Sequence, residues 1–313
     1  MDKINKITTS KQTTMYDHLY KMIIGNEEVL SRIIKVVVDE ANHLSIGKIR
    51  RLIEGVHVGN RIVNPHFHLV DKKGFIKDEG MVYYDILCYI DVPQEDGKNI
   101  RVYLNVEIQN NPYPGYSIIT RGYAYVSRIV SEQWGSEYDD KNYDGMKKVY
   151  SLWIMPKAPK RKDGYMNVYE TNERIICGTT VEEKEIYDKG VILAIYLNKE
   201  HDLNKKYEEH DELLTPLMVL LNNVLDYKGK QRIIEEYGLN TKKIESEVKD
   251  MCDLGESIVL EARNEGKQIE RKEKNIAHVK KLMIGLQMSF KEAINLLEIP
   301  EKEVKEIEKY FQS

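Results

Sequence analysis

Cysteine is scarce in this chain. The three in its 313 residues, Cys88, Cys177 and Cys252, lie far apart. They make no C-x-x-C pair and no disulfide framework, which fits a reducing cytosol. No stretch reaches the apolar length of a membrane span. The opening MDKINKITTSKQTT has no apolar signal core. The expectation is a cytoplasmic protein with no membrane partner. The chain also lacks an excess of positive charge. Its net charge of −4 argues against tight non-specific nucleic-acid binding by the whole surface, so any nucleic-acid contact needs a local basic patch. Phe and Trp are few, 4 and 2 against 21 Tyr, so aromatic packing falls to a residue that also hydrogen-bonds. What remains is a globular composition, 42% hydrophobic and 31% charged, of a length that suits one large or two modest domains.

The most informative stretch is Tyr83 to Gln109. Two runs alternate apolar and polar residues across a turn containing Asp and Gly, a β-hairpin signal. Val82, Tyr84, Ile86, Cys88, Ile90 and Val92 share one face of the first strand. Ile100, Val102, Leu104, Val106 and Ile108 share one face of the second. Side chains alternate with period two, so burying both apolar sets together forces Asp85, Glu107 and Gln109 onto the opposite face. A two-residue turn at Asp96-Gly97 would give the wrong parity, setting Asp85 opposite Ile108. The stretch Pro93 to Asn99 must therefore supply an odd loop or a bulge.

An Asp on one strand and Glu-x-Gln on the next is a metal-site layout. Asp85 and Glu107 offer carboxylate oxygens to Mg²⁺ or Mn²⁺, and the backbone carbonyl of Ile108 offers another oxygen ligand. Gln109 points the same way and can orient a water. This arrangement resembles the PD-(D/E)xK nuclease superfamily, whose motif is Asp followed by Glu-x-Lys on the next strand. Within it the chain looks like the recombination-promoting nuclease and transposase-related group, where Gln commonly replaces the Lys. The resemblance covers roughly residues 15 to 200 and, more loosely, the tail. It implies an α/β fold with a restriction-endonuclease-like core (helix, β-meander, helix, strand, mixed sheet) and a C-terminal α-helical tail. It implies metal-dependent hydrolysis of DNA phosphodiesters, linked to transposition or recombination.

The flanking pattern fits that order. Met15 to Ala41 reads as two helices, with Met15, Leu19, Met22 and Ile23 on one face of the first and Asn26 capping the second. Asp17 stands where the family has a recurring acidic residue, although an exposed helix charge accounts for it as well. Glu54 is a second acidic residue near the core and is not taken as a ligand. Asn64 to Asp71 alternates and is expected to be the first meander strand. His66 and His68 on it have no partner pair for a zinc site. After the NNPYPGY connection, Ser117 to Gln133 reads as a helix with an apolar stripe of Ile119, Tyr123, Val126 and Val130. Arg121, Tyr125 and Arg128 lie on another stripe. In the resembled family this helix backs the active site, which gives Arg121 and Tyr125 supporting roles beside the ligands or the phosphate. Val149 to Met155 reads as a buried strand, and 167–176 and 191–196 extend the sheet. Lys157, Lys160, Arg161 and Lys162 form a short basic loop, the best local candidate for contacts to the DNA backbone.

The pattern turns helical near His210, giving a nuclease-like domain over 1–209 and a helical region over 210–313. From Thr241 a long charged helix carries Ile244, Val248, Met251, Gly255, Ile258 and Ala262 at spacings of four and three, a narrow seam for a partner helix in this chain or in a second copy. Ser289 and Glu292 form a capping-box pattern, and Pro300 opens a last helix. The ending resembles the family's C-terminal helices and, loosely, a helix-turn-helix; it is read as a packing or dimerisation unit ahead of an accessory DNA-binding one, because Glu crowds the final helix. A second reading keeps the fold as a catalytically weak DNA-binding or interaction module that assembles through residues 241 to 275.

Overall fold

The computed structural model describes residues 15–58, 61–62, 84–95, 97–222, 225–239 and 241–311. Two compact units part between Cys252 and Asp253. The first holds a seven-stranded sheet whose order is β2-β1-β3-β4-β5-β7-β6. Its strands are β1 (Ile53–Val58), β2 (Arg61–Ile62), β3 (Ile86–Pro93), β4 (Asn99–Ile108), β5 (Lys148–Met155), β6 (Met166–Tyr169) and β7 (Gly190–Tyr196). β1, β3 and β4 pair antiparallel, β4, β5 and β7 pair parallel, and β6 returns antiparallel on β7. The architecture is therefore α/β with a mixed, open sheet.

The β3–β4 register follows the parity argument. Ile86 faces Val106, Cys88 faces Leu104, and the ladder ends with Pro93 opposite Asn99. Five residues, 94 to 98, close the hairpin, and Gln94 N–H bonds to the Lys98 carbonyl at 2.8 Å. An odd loop is what the parity requires. At this end Arg101, directly opposite Asp91, makes two hydrogen bonds to its carboxylate at 2.8 and 2.7 Å and a third to Glu137 at 3.0 Å. Its guanidinium also lies 4.4 Å over the Tyr89 ring.

Both sheet faces are covered. On one, Ile86, Cys88, Ile90, Val102, Leu104, Val106, Leu152, Ile154, Leu193 and Ile195 join a core with residues of α1 (residues 15–24), α2 (Glu27–Val37) and α6 (Asp211–Leu220). Asn26 caps α2 by accepting from Glu28 N–H at 3.0 Å, as its position at the start of an apolar-periodic run predicts. On the other face Leu87, Tyr103, Val149, Trp153, Ile192 and Ala194 pack under α4 (Ile118–Glu132). A strand buried on both faces reads as a continuous apolar run, and β5 and β7 do.

Three expectations need adjustment. The stripe that α4 buries is Ile118, Gly122, Tyr125, Val126 and Ile129, whereas Tyr123 is exposed. Gly122 explains the turn of the helix. A Cβ there would stand 2.8 Å from Ile192 Cγ2 and 3.1 Å from Trp153 Nε1, so the helix meets the sheet along its glycine and brings Tyr125 inward. The strand beside β3 is Ile53–Val58, around Glu54; Asn64 to Asp71, with His66 and His68, lies outside the described residues. Residues 210 to 252, read above with the tail, belong by packing to the first unit. Leu213, Leu214, Leu217, Ile233, Ile244, Val248 and Met251 are buried in the same core as the sheet. The first half of the helical seam is thus covered by its own chain.

Those residues come from α6, from α7 (Tyr227–Glu236) and from the start of α8 (Lys242–Gly285). In the second unit Val279 of α8 packs with Ala293 and Ile294 of α9 (Phe290–Leu296) and with Ile307 of α10 (Glu301–Phe311). Ser289 and Glu292 form the expected capping box.

One charge lies deep in the first unit. Lys230 on α7 is fully buried, and its Nζ lies 3.8 Å from Met251 Sδ. Burial pulls its ammonium down from 10.5 to about 8. The folded protein then holds fewer protons than the unfolded chain between pH 8 and 10.5, so this lysine makes stability rise with pH across that window. Lys230→Met should raise the urea midpoint at pH 7 and flatten the rise above pH 8. Equal midpoints for the two proteins at pH 7 would contradict the account.

Candidate functional site

Asp85 immediately precedes β3 and Glu107 is the penultimate residue of β4, so the antiparallel register brings them side by side at one end of the sheet. Their contacts interlock. Glu107 Oε1 accepts from Asp85 N–H at 3.1 Å, and Asp85 Oδ2 accepts from Ile108 N–H at 2.9 Å. An extended residue directs its N–H and C=O to the same edge, so the Ile108 carbonyl also faces the side where Asp85 stands. The two carboxylates converge on one place, as the alternation required.

The site has a cation that the motif did not reveal. Lys21 of α1 reaches over the sheet end, with its Nζ 2.8 Å from Asp85 Oδ1 and 2.5 Å from Asp17 Oδ2. The sequence pattern offers Asp17 as an acidic candidate and gives no reason to single out Lys21. The available signal was their i,i+4 spacing, but nothing in a linear pattern connects position 21 to position 85.

Glu107 is 4% exposed. Desolvation first, and then the neighbouring Asp85 charge, push its carboxyl up to about 8. Arg121 and Lys21 act the other way and do not offset these effects. Behind Glu107, Trp153 is its direct neighbour on β5 and donates Nε1–H to Ser151 Oγ at 3.0 Å. Asn105 donates to the same hydroxyl at 3.3 Å. The floor of the site is therefore a fixed, buried polar and aromatic layer.

Arg121 and Tyr125 of α4 come to this wall together. Arg121 donates to Tyr125 Oη at 2.7 Å and to Tyr116 Oη at 2.9 Å, and its guanidinium lies 5.2 Å from the Trp153 ring. Tyr125 makes an edge contact with Trp153. Gln109 follows β4. Its N–H bonds to the Ile154 carbonyl at 2.8 Å, and its side-chain amide donates to the Asn111 carbonyl at 2.8 Å. That bond uses the Nε2 end and leaves Oε1 as an acceptor. Lys157, Lys160, Arg161 and Lys162 follow β5, the last three in a 3-10 turn. Ile154 is level with Ile108, so this basic turn leaves the sheet from the same end as the carboxylates.

Fold and site together define an α/β protein with a carboxylate pair and two tethered cations at the ends of its central strands. No family model, curated protein or solved structure matches the chain. Among the described residues no group of three or more His, Cys, Asp or Glu side chains gathers to hold a metal, and no helix is long and apolar enough to cross a membrane.

The electrostatics of Glu107 are measurable without any activity. A folded pKa of about 8 against an ordinary 4.5 means that the folded state binds more protons across that window. Stability from this group is present below pH 4.5 and falls as pH rises through 8. In EDTA, Glu107→Gln should remove that fall, giving a higher urea midpoint than wild type at pH 8.5. A wild-type midpoint that drops no faster than the variant's would show that Glu107 is ionised at ordinary cost.

Proposed function

We propose that the chain is a metal-dependent DNA endonuclease that hydrolyses phosphodiester bonds, built on a restriction-endonuclease-like core. The observation that carries this reading is the interlocked pair, Asp85 and Glu107, held with the Ile108 backbone edge at one sheet end. The donor set suits Mg²⁺ or Mn²⁺. Two carboxylates and a backbone carbonyl are hard oxygen ligands, and Mg²⁺ keeps several waters and takes phosphate oxygens for the rest of its shell. The high proton affinity of Glu107 comes from burial first and from the Asp85 charge second, and a cation held between the two carboxylates would relieve the second. A bound metal supplies activation of water and neutralisation of charge on the phosphate.

The chain's own groups divide the remaining work. Asp85 and Glu107 would hold the cation. Gln109, tethered through Nε2, accepts a hydrogen bond from the attacking water at Oε1 and orients it. As a neutral amide it does not serve as an efficient base. Lys21 brings to the site the ammonium that Gln109 lacks, from a helix rather than from the strand. Arg121, braced by Tyr116 and Tyr125, presents its guanidinium beside Glu107, where a phosphate oxygen would lie. DNA is the proposed partner, the cytoplasm the proposed compartment, and transposition or recombination the proposed setting.

With Mg²⁺ the wild type should nick supercoiled plasmid, and Asp85→Ala and Glu107→Ala should abolish nicking while remaining folded. Gln109→Ala should slow single-turnover cleavage by ~100-fold, the usual cost of losing a group that orients one reactant, with Mn²⁺ affinity by calorimetry nearly unchanged. Glu107→Ala should lose that affinity. A wild type inert with both Mg²⁺ and Mn²⁺ rejects the enzyme reading.

A second copy of the chain is the proposed partner for the later half of the α8 seam, supported by Ile269, which lies one heptad beyond Ala262 and is 44% exposed. Light scattering should then give twice 36.6 kDa, reduced to the monomer mass by Ile269→Glu. A monomeric wild type removes this partner.

A further inference from the structure

The end of the sheet that carries the carboxylates also carries exposed tyrosines. β4, β5 and β7 are parallel and finish together, with Ile108 level with Ile154 and Met155 level with Tyr196. Three segments leave from there: the loop after Gln109, the basic turn after β5, and the turn after β7. Tyr113 and Tyr116 on the first are 59% and 52% exposed. Tyr169 on β6 pairs with Ile192, four residues back from that end along β7, and shares the α4 face of the sheet with Tyr196. Tyr169 too is exposed. The Tyr196 hydroxyl feels both others. Burial raises its pKa, and the neighbouring phenols of Tyr169 and Tyr113 raise it further. Lys162 closes the row, its Nζ 4.6 Å from the Tyr196 ring centroid.

Among the described residues no carboxylate pairs with Lys157, Lys160, Arg161 or Lys162. Asp163, the nearest acid in the chain, is taken elsewhere. It accepts from Asn198 N–H at 2.8 Å and Tyr207 Oη at 2.9 Å, and its other oxygen lies 2.6 Å from His201 Nδ1. This side of the sheet therefore offers exposed phenol rings together with positive charge that no carboxylate neutralises, and Tyr116 touches Arg121 at the site wall through its hydroxyl and its ring.

That combination has a specific chemical complement. Flat rings stack on bases, and lysines and arginines bind phosphates. The bases of a duplex are already stacked on each other and hide their faces, so only an unpaired strand uses both features. We propose that this edge is a track for single-stranded DNA, in which Tyr113, Tyr116 and Tyr169 stack bases while Lys157, Lys160, Arg161 and Lys162 hold phosphates, leading the strand to Asp85 and Glu107. The track rests on the nuclease reading for what happens at its end, but not for the binding itself.

Binding is read in EDTA, where cleavage does not interfere, by fluorescence anisotropy of full-length protein with labelled dT20 and a 20-bp duplex. The single strand should bind at least tenfold tighter than the duplex. Tyr113→Ala with Tyr169→Ala should weaken dT20 by about tenfold for each ring lost, and the corresponding Phe variants should bind as wild type. Lys160→Ala with Lys162→Ala should lower the log–log salt slope by about 1.4, two phosphates at roughly 0.7 each on a single strand. Duplex binding as tight as single-strand binding overturns the track, as does a double Tyr→Ala variant within twofold of wild type. Plasmid nicking separates the two ideas: single-strand preference without nicking sinks only the nuclease, and nicking without single-strand preference sinks only the track.

Discussion

Pro93 faces Asn99 across β3 and β4, and the five residues between them set the parity of everything downstream. One residue more or fewer would turn Glu107 into the α2 side of the core and Val106 out toward α4. The apolar alternation of both strands forbids that slip, since it would exchange a buried set for a polar one along the whole hairpin. The Asp91–Arg101 pair acts in the same sense from the loop end. It is partly exposed, so its contribution to stability is modest. Its two-pronged geometry is nonetheless specific to one register, because the two residues face each other only there.

The consequence of that register is an electrostatic conflict at the other end. Two carboxylates are brought together, one of them almost fully out of water, at the end of a sheet covered on both faces. A packing-driven design would place apolar residues there. Here the conflict is partly relieved by Lys21 and by backbone N–H groups, and the remainder appears as a raised proton affinity on Glu107. Local disagreement with good packing, surrounded by a hairpin that agrees along the rest of its length, singles out this pair as the candidate site.

The same contrast explains what could be read from the chain. The hairpin and its carboxylates were legible because period-two alternation needs no long-range knowledge. So were Asn26, Ser289 and Glu292, whose capping bonds are made within three residues. β1 was missed because Ile53–Val58 contains Glu54, Gly55 and His57 and offers little alternation. The buried face of α4 was misjudged by one position, since the side that meets the sheet is decided by the close approach of Gly122 to Trp153 and Ile192. Lys21 was invisible as a site residue because its partner lies 64 positions along the chain. The helices after 210 were assigned to a tail because their composition resembles it, whereas their buried leucines fill the sheet's own core.

The site gathers at a sheet end, and the reason is geometric. Both faces of the sheet are covered, one by α1, α2 and α6 and the other by α4. A polar side chain rising from the middle of either face would be entombed. Only where the strands stop can groups from separate elements meet each other and water. Asp85 arrives at the start of β3, Glu107 at the end of β4, Lys21 from α1 and Arg121 from the first turn of α4. Each is anchored in a rigid element within a few residues, so their convergence costs little extra ordering. A strand-borne lysine at position 109 would add a third cation to a sheet end that already holds Lys21 and Arg121. The neutral Gln109 avoids this, and the ammonium is delivered from the helix that already packs there.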